Sequence, residues 1–167
     1  MATSDPGSGT TLQIRRIFQA PREKVFAAWT ELQAVEQWMC RDVPSHRVSF
    51  PLFNAHTGGG YMIEVTDSKT GAEYIGKGVY REVKPPEKIV FTWRWTLKRA
   101  GGSETDLHPE TEVTVEFLER GRSTEVVLTH RGFLTTEEFD ETNTGWNGCF
   151  DVLANYLATT GRREQTK

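Results

Sequence analysis

Hydrophobic and polar residues alternate through most of this chain and change period near its end, and that change separates a sheet from a helix. Residues 12–18 alternate imperfectly and stop before Ala20-Pro21, which predicts a first strand. Pro21 suits the first turn of a helix whose apolar face carries Val25, Phe26, Ala28 and Trp29. A second short helix over residues 31–38 places Leu32, Val35 and Trp38 on one side. Residues 43–53, broken by Pro44 and Pro51, predict an irregular edge strand. After a turn at Gly58-Gly59-Gly60 the period is two: Tyr61, Ile63 and Val65; then residues 74–83, with Gly76 and Gly78 in the middle; then Ile89, Phe91, Trp93 and Trp95. Val113, Val115 and Phe117, and then Val126, Leu128 and His130, give two more strands. Turns fall at residues 67–72, at 85–88 and at Gly121-Arg122, and residues 100–109 form a polar loop. Glycines inside a strand predict strong curvature or close approach by another element.

From Thr135 the period becomes helical. Phe139, Trp146, Phe150, Leu153 and Leu157 recur at spacings of seven, four, three and four, one stripe of a helix over residues 135–160. Thr135 with Glu138 reads as a capping box, and Gly161 as the C-terminal stop. The order is therefore one strand, two short helices, about six strands joined largely by hairpins, and one long helix: an α+β domain. Consecutive hairpins make an antiparallel sheet, and the last helix has the stripe and the length to cover one face of it. A curved sheet wrapped around a single helix leaves an apolar gap between the two, where small ligands are usually held.

Composition sharpens this only slightly. With 20 basic against 23 acidic residues in 167, the net charge is −3, and the tight basic pairs Lys98-Arg99 and Arg162-Arg163 sit near a loop and the end. No nucleic-acid footprint is predicted. No apolar run is long enough to cross a bilayer, and no signal peptide is recognisable. Residues 1–10 read as a disordered leader, 11–161 as a single domain and 162–167 as a flexible tail. Cys40 and Cys149, without a CxxC or Cys/His cluster, predict buried thiols in a reduced, cytoplasmic protein.

Six segments in the same order carry a family resemblance: Ala20-Pro21-Arg22-Glu23-Lys24-Val25-Phe26-Ala27-Ala28-Trp29-Thr30, the turn at Gly58-Gly59, the run from Gly78 through Val79, Tyr80 and Arg81 to Glu82, residues 85–93, residues 124–130, and Gly145-Trp146. Together they resemble the AHSA-type branch of the SRPBCC (START-related) superfamily, named after the activator of the heat-shock protein 90 ATPase, over about residues 12–158. The resemblance implies a helix-grip fold and a cavity that in many relatives takes lipids, polyketides or other hydrophobic molecules. Two positions depart from the pattern. Asn54-Ala55-His56 stands where relatives often carry Asp-x-Arg, and Thr142 where many have a histidine.

The chemistry-bearing residues show no recognisable catalytic set. His130 shares the parity of Val126 and Leu128, which makes it a cavity group or a hydrogen-bonded core histidine. His46, His56 and His108 fall in separate loops without metal-ligand spacing, so neither metal nor cofactor is expected. Candidate pocket residues are Trp29, Trp38, Tyr61, Tyr80, Trp93, Trp95, Phe117, His130, Phe139, Trp146 and Phe150. The function expected first is non-catalytic binding of a hydrophobic or aromatic small molecule. The resemblance keeps open a chaperone-associated module with a heat-shock protein 90-type partner in a stress response, and an enzyme of the cyclase, dehydratase or hydrolase kind. A homodimer through an edge strand is also open.

Overall fold

The structure, a computed structural model, describes residues 10–98, 102–107 and 109–165, the last five by backbone only. His108, Arg99, nearly all of the leader and the last two residues lie outside the described residues. In chain order the elements are β1 (Thr10–Phe18), α1 (Arg22–Thr30), α2 (Leu32–Trp38), β2 (His46–Phe53), β3 (Gly60–Asp67), β4 (Glu73–Lys84), β5 (Lys88–Lys98), β6 (Glu104–Asp106), β7 (Thr111–Arg120), β8 (Ser123–Phe133) and α3 (Thr136–Gln165). All strands pair antiparallel in one sheet of order β1-β8-β7-β5-β4-β3-β2, with β6 lying against the far end of β5. This is the helix-grip arrangement: one bent sheet, two short helices near its start and a long helix on its inner face.

The sequence pattern and the structure part company at four places. Part of the polar loop 100–109 forms β6, pairing Glu104–Asp106 with Lys98, Leu97 and Thr96. The first strand begins at Thr10, inside the stretch expected to be a leader, because Thr10 and Thr11 find partners in Phe133 and Arg131. Leu32 is 38% exposed while Ala34 is buried in its place. As the first residue of α2, Leu32 leans back past the helix end, away from the core. Finally, α3 runs through Gly161 to Gln165. A glycine costs a helix only about 1 kcal/mol and stops it only when the chain turns left-handed there.

The registers explain the aromatic and glycine pattern. Tyr61 of β3 lies opposite Gly78 of β4, and Trp95 of β5 lies opposite Gly76. Each large ring folds across the strand over the glycine facing it. A Cβ on Gly76 would sit 2.8 Å from the Trp95 indole. One on Gly78 would lie 2.5 Å from the Tyr61 ring and collide with the Thr92 carbonyl oxygen. Tyr61 uses the room to reach that carbonyl with its hydroxyl, at 2.6 Å. Burial, and secondarily the neighbouring Tyr80, pushes the Tyr61 phenol well above its ordinary pKa, so it remains a donor.

Helix α3 is capped as its sequence suggests. The Glu138 amide donates to Thr135 Oγ1 at 3.1 Å, and Glu138 Oε2 accepts from the Leu134 amide. Its second half presses Phe150, Leu153 and Leu157 into the core, each worth about 1.5–3 kcal/mol of apolar burial. Arg16 of β1 clamps this half from outside, donating to Asp151 at 2.6 Å and Asn147 at 3.2 Å with its guanidinium over the Phe150 ring.

Gly78→Ala is expected to destabilise the protein by about 1–3 kcal/mol in urea unfolding, because neither Thr92 nor Tyr61 can give way without losing its hydrogen bond. The exposed neighbour Lys77→Ala should stay within about 0.5 kcal/mol of wild type.

Candidate functional site

A cleft of about 430 Å³ opens between the first half of α3 and the β3–β5 side of the sheet. Its inner wall is Trp93 and Trp95 from β5, Val65 from β3 and Tyr74 from β4. The helix contributes Trp146, Gly145 and Cys149, and near the mouth Glu138, Glu141 and Thr142. The segment after α2 closes one side with Met39, Cys40, Asp42 and Val43, and His46 and Leu107 complete the lining. Val43 and Leu107 leave apolar surface exposed at the entrance, at 36% and 44%.

Of the candidate pocket residues, Trp93, Trp95 and Trp146 line this cleft. The others lie elsewhere. Trp29 and Trp38 pack edge to face at 4.7 Å behind the cleft, where the Trp38 indole donates to the Ala28 carbonyl. Phe117 and Phe150 sit in the same core against Trp29. Tyr61 and Tyr80 form an aromatic group with Phe53 and Phe91, which touches Trp93 through Phe91. Phe139 packs on Phe133. Apart from Phe139, which is half-buried, these rings are buried against other protein groups.

His130 is fully buried and does not line the cleft. The Trp146 indole N–H can only donate, so Nδ1 of His130 accepts it, at 3.1 Å, and the ring proton resides on Nε2. That proton is directed at Thr111 Oγ1, 2.7 Å away, and the Thr111 hydroxyl donates onward to the Trp93 carbonyl at 3.1 Å. The chain of bonds runs from α3 through β8 and β7 to β5 and joins two of the cleft tryptophans. In this position His130 orients Trp146.

Several lining residues escaped the sequence reading. Cys40 follows α2 with φ of 60°, a left-handed backbone that costs a non-glycine residue about 1–3 kcal/mol, and it sits in the cleft wall. Its thiol lies against that of Cys149. Contact with Cys40, then burial, then the charge of Asp42 raise the Cys149 thiol well above its ordinary pKa. Asp42 lies against the helix at Gly148, where a Cβ would come within 2.6 Å of its Oδ2. A pattern could have pointed here: Glu138, Glu141 or Thr142, Gly145 and Cys149 recur at helical spacing, a second stripe of small and polar residues beside the apolar one. Among the described residues no group of three or more His, Cys, Asp and Glu is arranged to hold a metal, and no helix is long and apolar enough to cross a membrane. A second depression, of about 520 Å³ between α2 and α3, is lined mainly by amides and hydroxyls such as Gln33, Gln37, Asn155 and Thr159. In place of three indoles it offers a single ring, Tyr156, beside Val152.

A bent antiparallel sheet gripping a C-terminal helix, with a tryptophan-walled cleft between them, defines a helix-grip protein. Residues 19–158 match the family described as Activator of Hsp90 ATPase homolog 1-like protein, and the chain belongs to that family, an AHSA-type branch of the SRPBCC superfamily. Solved bacterial structures share the fold. A protein from Chromobacterium violaceum is 22% identical with a TM-score of 0.75, the match covering 88% of this chain and 96% of that one. One from Arthrobacter aurescens is 17% identical with a TM-score of 0.75, over 95% and 91%. One from Rhodobacter sphaeroides is 21% identical with a TM-score of 0.73, over 94% and 96%. At these identities the likeness is one of fold. No curated protein matches the sequence.

Thr111→Val keeps the shape but removes the hydroxyl that accepts from His130 Nε2–H and donates to the Trp93 carbonyl, so a loss of about 1–3 kcal/mol in urea unfolding is expected. Thr114→Val, on the other face of β7, should cost no more than about 0.5 kcal/mol. Cys149 should resist iodoacetamide at pH 8 at least ~10-fold more than in urea-unfolded protein, because a raised pKa leaves little of the reactive thiolate. Peptide mapping of the labelled cysteines reads this directly, and equal rates would contradict the buried, thiol-paired environment.

Proposed function

We propose that the protein binds an apolar or aromatic small molecule in the cleft between α3 and β3–β5, without catalysing its conversion. The observation that carries this reading is Gly145. A glycine inside a helix costs about 1 kcal/mol relative to alanine, so a packing or functional reason is expected. Gly148 has a packing reason, the approach of Asp42, whereas a Cβ on Gly145 meets nothing within 4 Å. Gly145 lines the cleft beside Trp146, so its lack of a side chain keeps that volume open. The volume lies in the range of small-molecule sites, roughly 300–1,000 Å³, and the walls offer three indoles. His130 supports a binding role over an acid–base one, since both ring nitrogens are engaged, Nδ1 by Trp146 and Nε2 by Thr111.

A chaperone partner of the heat-shock protein 90 type is a second reading. It rests on the family description over residues 19–158. Pull-down with the full chain tests it, and recovery of no such chaperone removes it.

Gly145→Ala should raise stability by about 0.5–1 kcal/mol, since it relieves helix entropy without a clash. Gly145→Phe should fold, by circular dichroism, yet lose at least ~10-fold in affinity for the neutral fluorescent probe N-phenyl-1-naphthylamine. Unchanged probe binding in the Phe variant would place the site elsewhere. Native mass spectrometry of protein purified from its source should show a co-purifying molecule in wild type and not in Gly145→Phe.

A further inference from the structure

The charge at the cleft mouth is one-sided. Asp42, Glu138 and Glu141 line it, and no lysine or arginine does. None of the three carboxylates forms an ion pair among the described residues. Their polar contacts leave acceptor capacity. Asp42 accepts weakly from the Cys149 thiol at 3.7 Å, and Glu138 accepts from the Leu134 amide at 3.4 Å. The one lining side chain able to carry positive charge, His46, sits on β2 opposite Asp67. Behind the acidic mouth stand Trp93, Trp95 and Trp146, and indole faces attract cations more strongly than other aromatic rings do.

The walls and the rim therefore favour one class of guest. An apolar body is taken from water by the indoles, while a positive group finds electron-rich indole walls inside and carboxylates without ion pairs at the entrance. A carboxylate on the same body would meet like charge and no lysine or arginine. We propose that the ligand is an organic cation: a protonated or quaternary amine carried on an aromatic or alkyl frame. This rests on the binding role of the cleft and adds the charge of its occupant.

A matched set separates the two ideas. Isothermal titration calorimetry at low ionic strength compares naphthalen-1-ylmethanamine (cation), naphthalen-1-ylmethanol (neutral) and naphthalene-1-carboxylate (anion). The expected order is cation, neutral, anion, with the amine at least about tenfold tighter than the carboxylate. That preference should shrink in 0.5 M salt as the exposed carboxylates are screened. In the double variant Glu138→Gln/Glu141→Gln it should also fall severalfold. Glutamine at 138 preserves the helix cap, so the variant should fold, and its loss of affinity should be larger for the amine than for the neutral alcohol. In Gly145→Phe all three should lose affinity together. Equal binding of the three compounds overturns the cation proposal and leaves the binding cleft standing. So does a preference that survives both the double variant and salt. Absence of binding by all three, the neutral ring included, overturns the binding role and the cation with it.

Discussion

One hydrogen bond sets how the long helix lies on the sheet. The Trp146 indole is buried and can only donate, so it needs a protein acceptor. The Nδ1 atom of His130 on β8 supplies it. Meeting this demand fixes the rotation and height of α3 over the sheet. It also sets the Trp146 ring against Trp93 at 5.0 Å and Trp29 at 5.9 Å. The same ring then presents surface to the cleft. Core packing and site geometry thus share a residue, and the threonine and histidine behind it are as much part of the site as the walls.

The cleft lies on one side because α3 is unequal along its length. Its second half carries Phe150, Leu153 and Leu157, and with Phe18 edge-on to Phe150 it fills the space over the first strand. Its first half turns Glu138, Glu141, Thr142 and Gly145 towards β3–β5. These side chains are too polar or too short to reach the opposite wall. Interiors pack to near-crystalline density wherever side chains can meet, so an open volume of this size reflects a failure of the facing residues to reach one another. The glycines in β4 complete the shape from the other direction, letting Trp95 lie flat across Gly76 and become a wall. Cys40, left-handed at the end of α2, carries the chain away from the helix and towards the cleft rim.

Much of the fold was legible in the chain. Period two through Ile89, Phe91, Trp93 and Trp95, and the helical recurrence of Trp146, Phe150, Leu153 and Leu157, are local consequences of strand and helix geometry, and they identify elements without reference to partners. The cap at Thr135 and the glycine turns are local as well. Periodicity also marked which residues face inward, but an inward face does not distinguish a ring that meets another ring from one that meets open space. Trp29 and Trp38 pack on each other inside the core, whereas Trp93 and Trp95, which also pack on each other, line the cleft as well.

That distinction belonged to the tertiary structure. The sequence by itself determined the elements, their order and the apolar stripe that binds helix to sheet, because each follows from spacing along one backbone. Only the assembled chain decided that His130 orients a tryptophan, that three of the eleven aromatic and histidine candidates share a cleft, and that Asp42 lines it together with Glu138 and Glu141. Those outcomes depend on distances between residues remote in sequence, which strand register and helix rotation set and no local pattern encodes.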